Sequence, residues 1–305
     1  MGKVHDLLAA SGRASALLSN LDRRVIDAAS SYMGDEDNGL AFLFSGWCQA
    51  ALPHRKLPDD EAWQIDSGRV TLVVEPGFRP GPGGKPSPVG VPYGSRARLI
   101  CLYLQGQAMA SGSRDVELGG SLREWLVRMG IPIGGKSYQQ VRDQTERIGR
   151  CRITFNVQGI GGSGMVSRSI VESAIFLDDG TDGQGSLFTE CARLSEAFFD
   201  ALKKHPVPVE ESAVRAISNN SAALDAYAWL AYRLHSLTKP TPISWPALKS
   251  QFGASFDRMD NFRARFTDSL ALAMAVYPAA RVDTADKGIV LHPCPPPVAP
   301  RKALR

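Results

Sequence analysis

The stretch SLREWLVRMGIPIGGKSYQQVRDQTERIGRCRITFNV, residues 121–157, decides between two folds. Its centre, residues 130–137, fits the phosphate-loop pattern G-x-x-x-x-G-K-[ST], in which a lysine and backbone N–H groups hold the phosphates of a nucleotide. Such a loop follows a buried strand and opens a helix, because the N–H groups at the helix start must point at the phosphates. The fold therefore depends on whether a strand or a helix precedes Gly130.

A helix is predicted before Gly130. Four apolar residues lie at helical spacing there: Leu122, Trp125, Leu126 and Met129. Ser121 and Glu124 have the spacing of a capping box, which marks a helix start. Gly130 is a common type of helix stop, and Pro132 prevents continuation. The glycine-rich segment is therefore interpreted as a turn between two helices, and a phosphate-loop hydrolase using Lys136 is kept as the less favoured alternative.

The segment after the turn predicts a second helix and a hairpin. Ser137 and Gln140 suggest another capping box, and Tyr138, Val141, Thr145 and Ile148 form one apolar stripe. Residues 150–157 alternate between apolar and polar, as in a half-exposed strand, and residues 165–179 are the predicted return strand. The apolar–acidic segment 174–179, which would complete a nucleotide-hydrolase site, is then the far arm of a hairpin.

A similar order of elements recurs toward the C-terminus. A nearly all-apolar helix at 223–237 precedes a short helix at 244–253, a long helix at 255–278 and a strand–turn–strand unit at 281–293. Helix, helix–turn–helix and hairpin is the layout of a winged helix. The predicted class is α+β, mainly helical, with two tandem winged-helix domains carrying β-hairpin wings. We assign residues 1–60 to an N-terminal helical region, 61–205 and 206–293 to the first and second winged-helix domains, and 294–305 to a disordered basic tail.

Two segments outside these layouts are also assigned. Residues 13–33 predict one amphipathic helix with Leu17, Leu21 and Val25 on its apolar face, which packs on the first domain or, as the alternative, forms a dimer contact. Residues 76–95 contain twelve Pro or Gly residues in twenty, which predicts a flexible loop within the first domain.

Composition excludes several classes of protein. The apolar fraction of 44% is ordinary for a globular protein, and no apolar run approaches the length of a membrane span, so we expect a cytoplasmic protein. The five cysteines are scattered without a C-x-x-C pair, which argues against a disulfide framework and a zinc module. We expect no cofactor, no metal site and no enzymatic activity. The net charge of +4 is compatible with nucleic acid binding.

The charge is concentrated in the second turn helix and the following strand. Residues 136–152 carry five cations against two acids, and Gln, Ser and Arg are residue types that contact bases or phosphates. The outward face of this helix is expected to include Gln139, Gln140, Arg142, Asp143, Glu146 and Arg147. The predicted DNA-binding residues are Lys136, Ser137, Gln139, Gln140, Arg142, Arg147, Arg150, Arg152 and Arg168 in the first domain, and Lys249, Arg258, Arg263 and Arg265 in the second. Trp125, Trp229 and Trp245 are predicted to lie in the core rather than to stack on bases.

Several segments resemble the plasmid-encoded RepA family of replication initiators. These are ARLICLYLQGQAM, SRDVELGGSLREWLVRMGIPIGGKSYQQVRDQTERIGRCRITF, LSEAFFDALKKHPVPV and ALDAYAWLAYRLHSL, and the resemblance runs over residues 93–293. It implies binding of double-stranded DNA at origin repeats, help in duplex opening, and recruitment of the host initiator and replicative helicase. It also implies homodimers that repress their own gene and monomers that start replication. A DNA-binding transcriptional repressor without an initiator role remains the alternative.

Overall fold

The computed structural model describes residues 3–37, 39–132, 134–159, 162–166, 170–174 and 191–299. The chain forms two compact units: residues 1–41 with 207–305, and residues 42–206. The N-terminal segment is thus grouped with the C-terminal part of the chain. The domain boundaries given above stay a prediction.

Both units are built from helices and small sheets. The helices in the described ranges are α1 (Lys3–Ala16), α2 (Arg23–Met33), α3 (Gly94–Ser111), α4 (Gly119–Arg128), α5 (Gly135–Arg150), α6 (Glu196–Lys204), α7 (Glu211–Ala216), α8 (Ser221–Arg233), α9 (Trp245–Phe252) and α10 (Met259–Ala275). The strands are β1 (Leu40–Phe44), β2 (Trp63–Asp66), β3 (Val70–Glu75), β4 (Phe78–Pro80), β5 (Pro86–Pro88), β6 (Asp115–Glu117), β7 (Arg152–Gly159), β8 (Gly162–Val166), β9 (Val171–Ala174), β10 (Cys191–Leu194), β11 (Pro206–Glu210), β12 (Thr241–Ser244), β13 (Val282–Ala285) and β14 (Gly288–Leu291). The predicted α+β class is confirmed.

One arrangement of six elements occurs in each unit. In the C-terminal part the order is α8, β12, α9, α10, β13 and β14, and the antiparallel sheet has the spatial order β12–β14–β13. In the other unit the order is α3, β6, α4, α5, β9 and β10, and the antiparallel sheet has the order β6–β10–β9. The last strand is central in both sheets, so the recurrence predicted from the helices extends to strand pairing.

The arrangement that begins with α3 contains an insertion between α5 and β9. β7 pairs with β8 as a hairpin, but it also pairs with β3 in a four-stranded sheet of order β2–β3–β7–β8. The predicted return strand over residues 165–179 is wrong in its extent, because β8 ends at Val166 and Val171–Ala174 pairs with β10 instead. Residues 175–179 lie outside the described ranges.

The Pro/Gly-rich segment 76–95 is more ordered than predicted. β4 and β5 pair in register from Phe78↔Pro88 to Pro80↔Pro86. A two-stranded hairpin tolerates proline because both of its strands are edges, where an N–H donor is dispensable. The flexible-loop prediction is therefore wrong for residues 78–88.

The single amphipathic helix predicted over residues 13–33 is also wrong, because α1 ends at Ala16 and α2 begins at Arg23. The Asp22 side chain accepts a hydrogen bond from the backbone N–H of Arg24, so Asp22 caps a new helix instead of continuing the old one. Leu18, in the connection, is 89% exposed. The apolar repeat of residues 17–25 therefore does not belong to one helix, because it runs across the cap at Asp22.

Other local predictions agree with the structure. Ser244 caps α9 by accepting from the backbone N–H of Ala247, and Gly253 follows the last helical residue. Trp125, Trp229 and Trp245 are each 4% exposed, which confirms their place in the core. Among the residues that the structure describes, no helix combines the length and apolar character needed to cross a membrane.

Candidate nucleic-acid interface

The glycine-rich turn joins two helices. α4 ends at Arg128, Gly130 has the left-handed φ of 74°, and α5 begins at Gly135. The backbone N–H of Ile131 donates to Leu126 O at 2.9 Å and closes the end of α4. The element that enters the turn is therefore a helix, as predicted, and lacks the strand that a phosphate loop requires.

Neither capping box forms as predicted. α4 and α5 start two residues before Ser121 and Ser137, so both serines lie inside helices whose caps receive no side-chain hydrogen bond. The Ser137 Oγ is buried and has no hydrogen-bond partner within the described part of the chain. The prediction that Ser137 contacts DNA remains untested, but this oxygen is turned away from solvent.

The N-terminal half of α5 presents a polar, cationic face. Its exposed residues include Lys136, Gln139, Gln140 and Arg142. The opposite face, which contains Val141, Gln144, Thr145 and Ile148, is buried. This division follows from the helical period, and it brings together four of the predicted DNA-binding residues on one accessible surface.

Arg147 is buried, so its predicted outward orientation is wrong. Its side chain is 4% exposed and forms ion pairs with Asp143 at 2.9 Å and Asp59 at 3.2 Å. The same guanidinium donates to Val91 O at 3.2 Å and lies 5.3 Å from the centre of the Tyr93 ring. The helical wheel places this position at the edge of the apolar stripe, where the segment around Val91 covers it. Arg147 therefore attaches α5 to the segment around Val91 and to Asp59 of the same unit.

The C-terminal end of α5 carries a small ion-pair network. Arg150 Nε lies 3.0 Å from Glu146 Oε1, and Arg79, from β4, lies 3.3 Å from Glu146 Oε2. Arg150 also donates to Phe78 O at 3.2 Å. On the adjacent strand, Arg152 is half-exposed and 3.5 Å from Glu75. These arginines are partly engaged by acids within the same unit.

The second predicted set lies on α9 and α10. Arg265 is exposed, and Arg258, immediately before α10, is exposed beside Asp260 at 3.1 Å. Arg263 stacks over the Trp245 ring with its guanidinium carbon 5.0 Å from the centroid. Lys249 is half-buried on α9.

Trp245 connects this helix pair to the turn between β13 and β14. Its Nε1 donates to Ala285 O at 3.2 Å and to Asp286 O at 3.1 Å, and its backbone N–H donates to Lys287 O at 3.1 Å. Lys287 is exposed at that turn. The sequence prediction omitted Lys287 from the DNA-binding set, although the Lys–Gly dipeptide between two strand patterns marked the turn.

The predicted set has one member that the structure does not describe. Arg168 lies outside the described ranges, as do residues 160 and 161 of the glycine-rich tip. Sequence reasoning also missed Arg79 and Lys85, because the composition of their segment indicated a loop without structure. Both are exposed on the β4–β5 hairpin.

Two thiols of the α3–α5 region, Cys101 and Cys151, are buried and have raised pKa values. Burial raises the pKa of Cys101 to about 12, against a smaller opposing effect of Arg98, and burial raises the pKa of Cys151 to about 11. Both stay protonated at neutral pH, and a thiol reacts as its thiolate. Across the described ranges, no group of His, Cys, Asp and Glu residues could hold a metal ion.

Comparison with known proteins places the chain in a family. A crystal structure of domains 2 and 3 of RctB, determined with selenomethionine, has a TM-score of 0.50 and 12% identity, and covers 75% of this chain and 84% of that chain. A second crystal structure of RctB domains 2–3 has a TM-score of 0.45 and 10% identity, and covers 80% of this chain and 93% of that chain. No curated protein matches the sequence. The model of the family described as plasmid-encoded RepA protein matches residues 91–245, just over half of the chain, and the chain belongs to that family.

Proposed function

We propose that this protein is a plasmid replication initiator that binds repeated sequences at the plasmid origin, promotes duplex opening and recruits host replication proteins. Membership of the plasmid-encoded RepA family supports the proposal. The observation that carries it further is the arrangement of helix, strand, two helices and two strands that occurs in each unit with the same strand order.

Each arrangement has the element order of a winged helix. In that class of DNA-binding domain, the second helix of the helix–turn–helix enters the major groove and the hairpin lies along the backbone. We assign α5 and α10 as the two recognition helices. The exposed polar face of α5, with Lys136, Gln139, Gln140 and Arg142, supports this assignment because these residue types read base edges and grip phosphates.

The topology also suggests which hairpins are the wings. β13–β14 follows α10 directly and carries Lys287 at its turn. The topological counterpart after α5 is β9–β10, whose connection lies outside the described residues. We therefore assign the first wing to β9–β10 and treat β7–β8, the hairpin chosen from sequence, as part of an inserted sheet.

In the proposed interface, the cations have two roles. Lys136, Arg142, Arg265 and Lys287 contact DNA, since they are exposed and have no acidic partner within the described ranges. Arg147 and Arg263 position the recognition helices, through Asp59 and Asp143 in one case and through Trp245 in the other. Neither role requires a catalytic residue, and the proposal includes no enzymatic step.

The proposal predicts specific, ATP-independent binding to origin DNA. The measurement is a titration of the full chain with the non-coding region beside its gene, with random duplex as competitor, with and without ATP. Competitor-resistant binding that ATP does not change is expected, and Lys136→Ala should weaken it. Binding of ATP that Lys136→Ala abolishes, without a preference for origin DNA, would replace the proposal by the hydrolase alternative.

A second measurement separates an initiator from a repressor. Permanganate oxidises unpaired thymines, so reactivity on a supercoiled origin plasmid reports duplex opening. An initiator is expected to produce reactive thymines next to the bound repeats. Tight binding to the repeats without new reactivity, and without support of replication in an extract, would leave only the repressor function.

A further inference from the structure

We infer that residues 78–88, the β4–β5 hairpin and hereafter the arm, form an additional DNA contact that grips the phosphate backbone beside the groove entered by α5. The inference rests on the proposed function and deepens it, because it adds a third type of contact to the helices and wings. The arm lies before the residues that match the family model, which begin at 91.

The base of the arm is attached to the C-terminal end of α5. Arg150 donates to Phe78 O at 3.2 Å, and Arg79 pairs with Glu146 at 3.3 Å. Gly77 packs so closely on the Arg150 backbone that a Cβ at this position would overlap the Arg150 carbonyl. The arm therefore starts at the helix that we assign to the major groove, and its position is set by contacts with that helix.

The electrostatics of this region favour an anion. Residues 76–95 contain Arg79 and Lys85 and no acidic residue. Glu146, the acid that pairs with Arg79, lies between Arg79 at 3.3 Å and Arg150 at 3.0 Å, so its charge is balanced by two cations. Arg142, one turn earlier on α5, is exposed. The arm and the adjacent helix face together carry an excess of positive charge.

The backbone chemistry of the arm disfavours a protein partner that adds a strand. Three prolines in its strands, at 80, 86 and 88, remove N–H donors from its edges, so the arm cannot extend a sheet in the usual way. Lys85 projects near its tip, exposed and without an acidic partner among the described residues. An exposed lysine at the tip of a hairpin can contact a phosphate group of DNA.

The length of the arm suits a contact outside the groove. The turn of the arm begins at Pro82, four steps along the chain from Phe78, which at about 3.3 Å per residue is roughly 13 Å. Phe78 is 58% exposed at the base of the arm, where an apolar ring can lie against deoxyribose. We place the phosphate contact of Lys85 on the DNA that flanks the bases read by α5.

The test compares Lys85→Ala with Lys204→Ala in the full chain. Lys204 is a matched control because it is an exposed lysine at the end of α6 in the same unit, without an acidic partner in the described ranges. Each variant is titrated with origin DNA and with random duplex at several salt concentrations. Loss of one phosphate contact reduces the slope of log K against log salt by about 0.9, which is on the order of 8-fold in affinity at 0.1 M salt.

We expect Lys85→Ala to show this loss on both DNAs, and Lys204→Ala to match the wild type. Arg79→Ala combined with Lys85→Ala should reduce the slope by little more than Lys85→Ala alone, because Arg79 is paired with Glu146 at 3.3 Å. Unchanged melting temperatures would show that the variants are folded. Hydroxyl-radical footprints should lose protection only in the flank.

The outcomes separate the arm from the proposed function. If the wild type prefers origin DNA and Lys85→Ala keeps the wild-type slope, the arm is not a DNA contact and the initiator proposal stands. An affinity that rises in Lys85→Ala shows that the arm competes with DNA, which also overturns the inference. If the wild type shows no preference for origin DNA, the proposed function itself fails.

Discussion

Replacing Arg147 by methionine should destabilise the unit of residues 42–206 without removing a DNA contact. Methionine retains much of the apolar stem of arginine, so the change mainly removes the guanidinium. The lost interactions are the ion pairs with Asp143 and Asp59 and the hydrogen bond to Val91 O. Their free energies differ because their partners differ in exposure.

The two carboxylates contribute little each. Their side chains are 42% and 41% exposed, so water replaces the lost partner, and each exposed pair is worth about 0–1 kcal/mol. Val91 is buried at 1% exposure, and a buried carbonyl without its donor costs about 1–3 kcal/mol. The three ranges add up to about 1–5 kcal/mol, with a midpoint of about 3 kcal/mol. At about 2–4 °C per kcal/mol, we expect this midpoint to lower the melting temperature of the unit by roughly 6–12 °C.

The assay is thermal melting of the full chain, combined with peptide-resolved hydrogen exchange over α5. Arg142→Met is the matched control, because Arg142 lies on the same helix, is exposed and should change stability by less than about 0.5 kcal/mol. The expected pattern is lost stability for Arg147→Met and weaker DNA binding for Arg142→Met. An Arg147→Met variant with wild-type melting and greatly weakened DNA binding would refute the assignment of Arg147 to the protein interior.

The effect of Arg147→Met should also depend on pH. Burial raises the pKa of Asp59, but the hydrogen bonds from Lys56 and Arg147 lower it by more, so the pKa lies below its ordinary value of 3.8. A depressed folded pKa stabilises the protein above the unfolded value, and that stabilisation is lost as the pH falls through the folded value. The stability difference between wild type and variant should be constant from about pH 5 to 7 and narrow below about pH 4.

Five further substitutions, at four positions, test the local assignments. Gly90→Ala should destabilise the protein by about 2–3 kcal/mol, because φ at Gly90 is 73° and a Cβ would overlap Arg147. Gly83→Ala is the control: φ at Gly83 is 69° but the space around it is open, so this change should cost only about 1 kcal/mol. Equal melting temperatures of the two variants would contradict this reasoning. Trp245→Phe removes both Nε1 hydrogen bonds to the β13–β14 turn and should lower the free energy of unfolding by about 1–2 kcal/mol in urea titrations. An unchanged unfolding midpoint would show that these hydrogen bonds do not stabilise the protein. DNA binding should also weaken if the turn positions Lys287. Asp22→Ala removes the cap of α2 and should cost about 1 kcal/mol, measured by the thermal loss of helical circular dichroism, while Asp22→Asn should retain most of the stability.

Local patterns in the sequence predicted helices well and strand partners poorly. The apolar stripe of α5 and the Ser244 cap of α9 depend on residues a few positions apart, so each is visible in a short window. The pairing of β6 with β10 joins residues more than seventy positions apart, and the short β6 carries no sign of its partner. The same limit explains why the whole of residues 165–179 is predicted as the return strand of one hairpin: a hairpin is the simplest local partner for an alternating strand.

The candidate interface shows a related limit. A helical wheel correctly separates Gln139 and Arg142 from Val141. It places Arg147 at the edge of the apolar stripe, and the outward orientation predicted there is wrong because nothing local reveals the segment that covers this side chain. Composition likewise suggested no order in the arm, since the contacts that hold it come from Glu146 and Arg150 on another element. Burial of a cation is decided by what packs over it, and a single helix does not contain that information.

The two helices that we propose as recognition helices, α5 and α10, use arginine in a similar way. On α5, Arg147 holds the chain around Val91 through its carbonyl and through Asp59. On α10, Arg263 lies over Trp245, which in turn binds the carbonyls of the β13–β14 turn. In each unit one arginine of the helix supports the neighbouring segment, and other cations of the helix are exposed. Under the proposed function, a count of all cations along either helix would therefore overstate the number of its DNA contacts, and the salt dependence of binding should follow the exposed, unpaired cations instead.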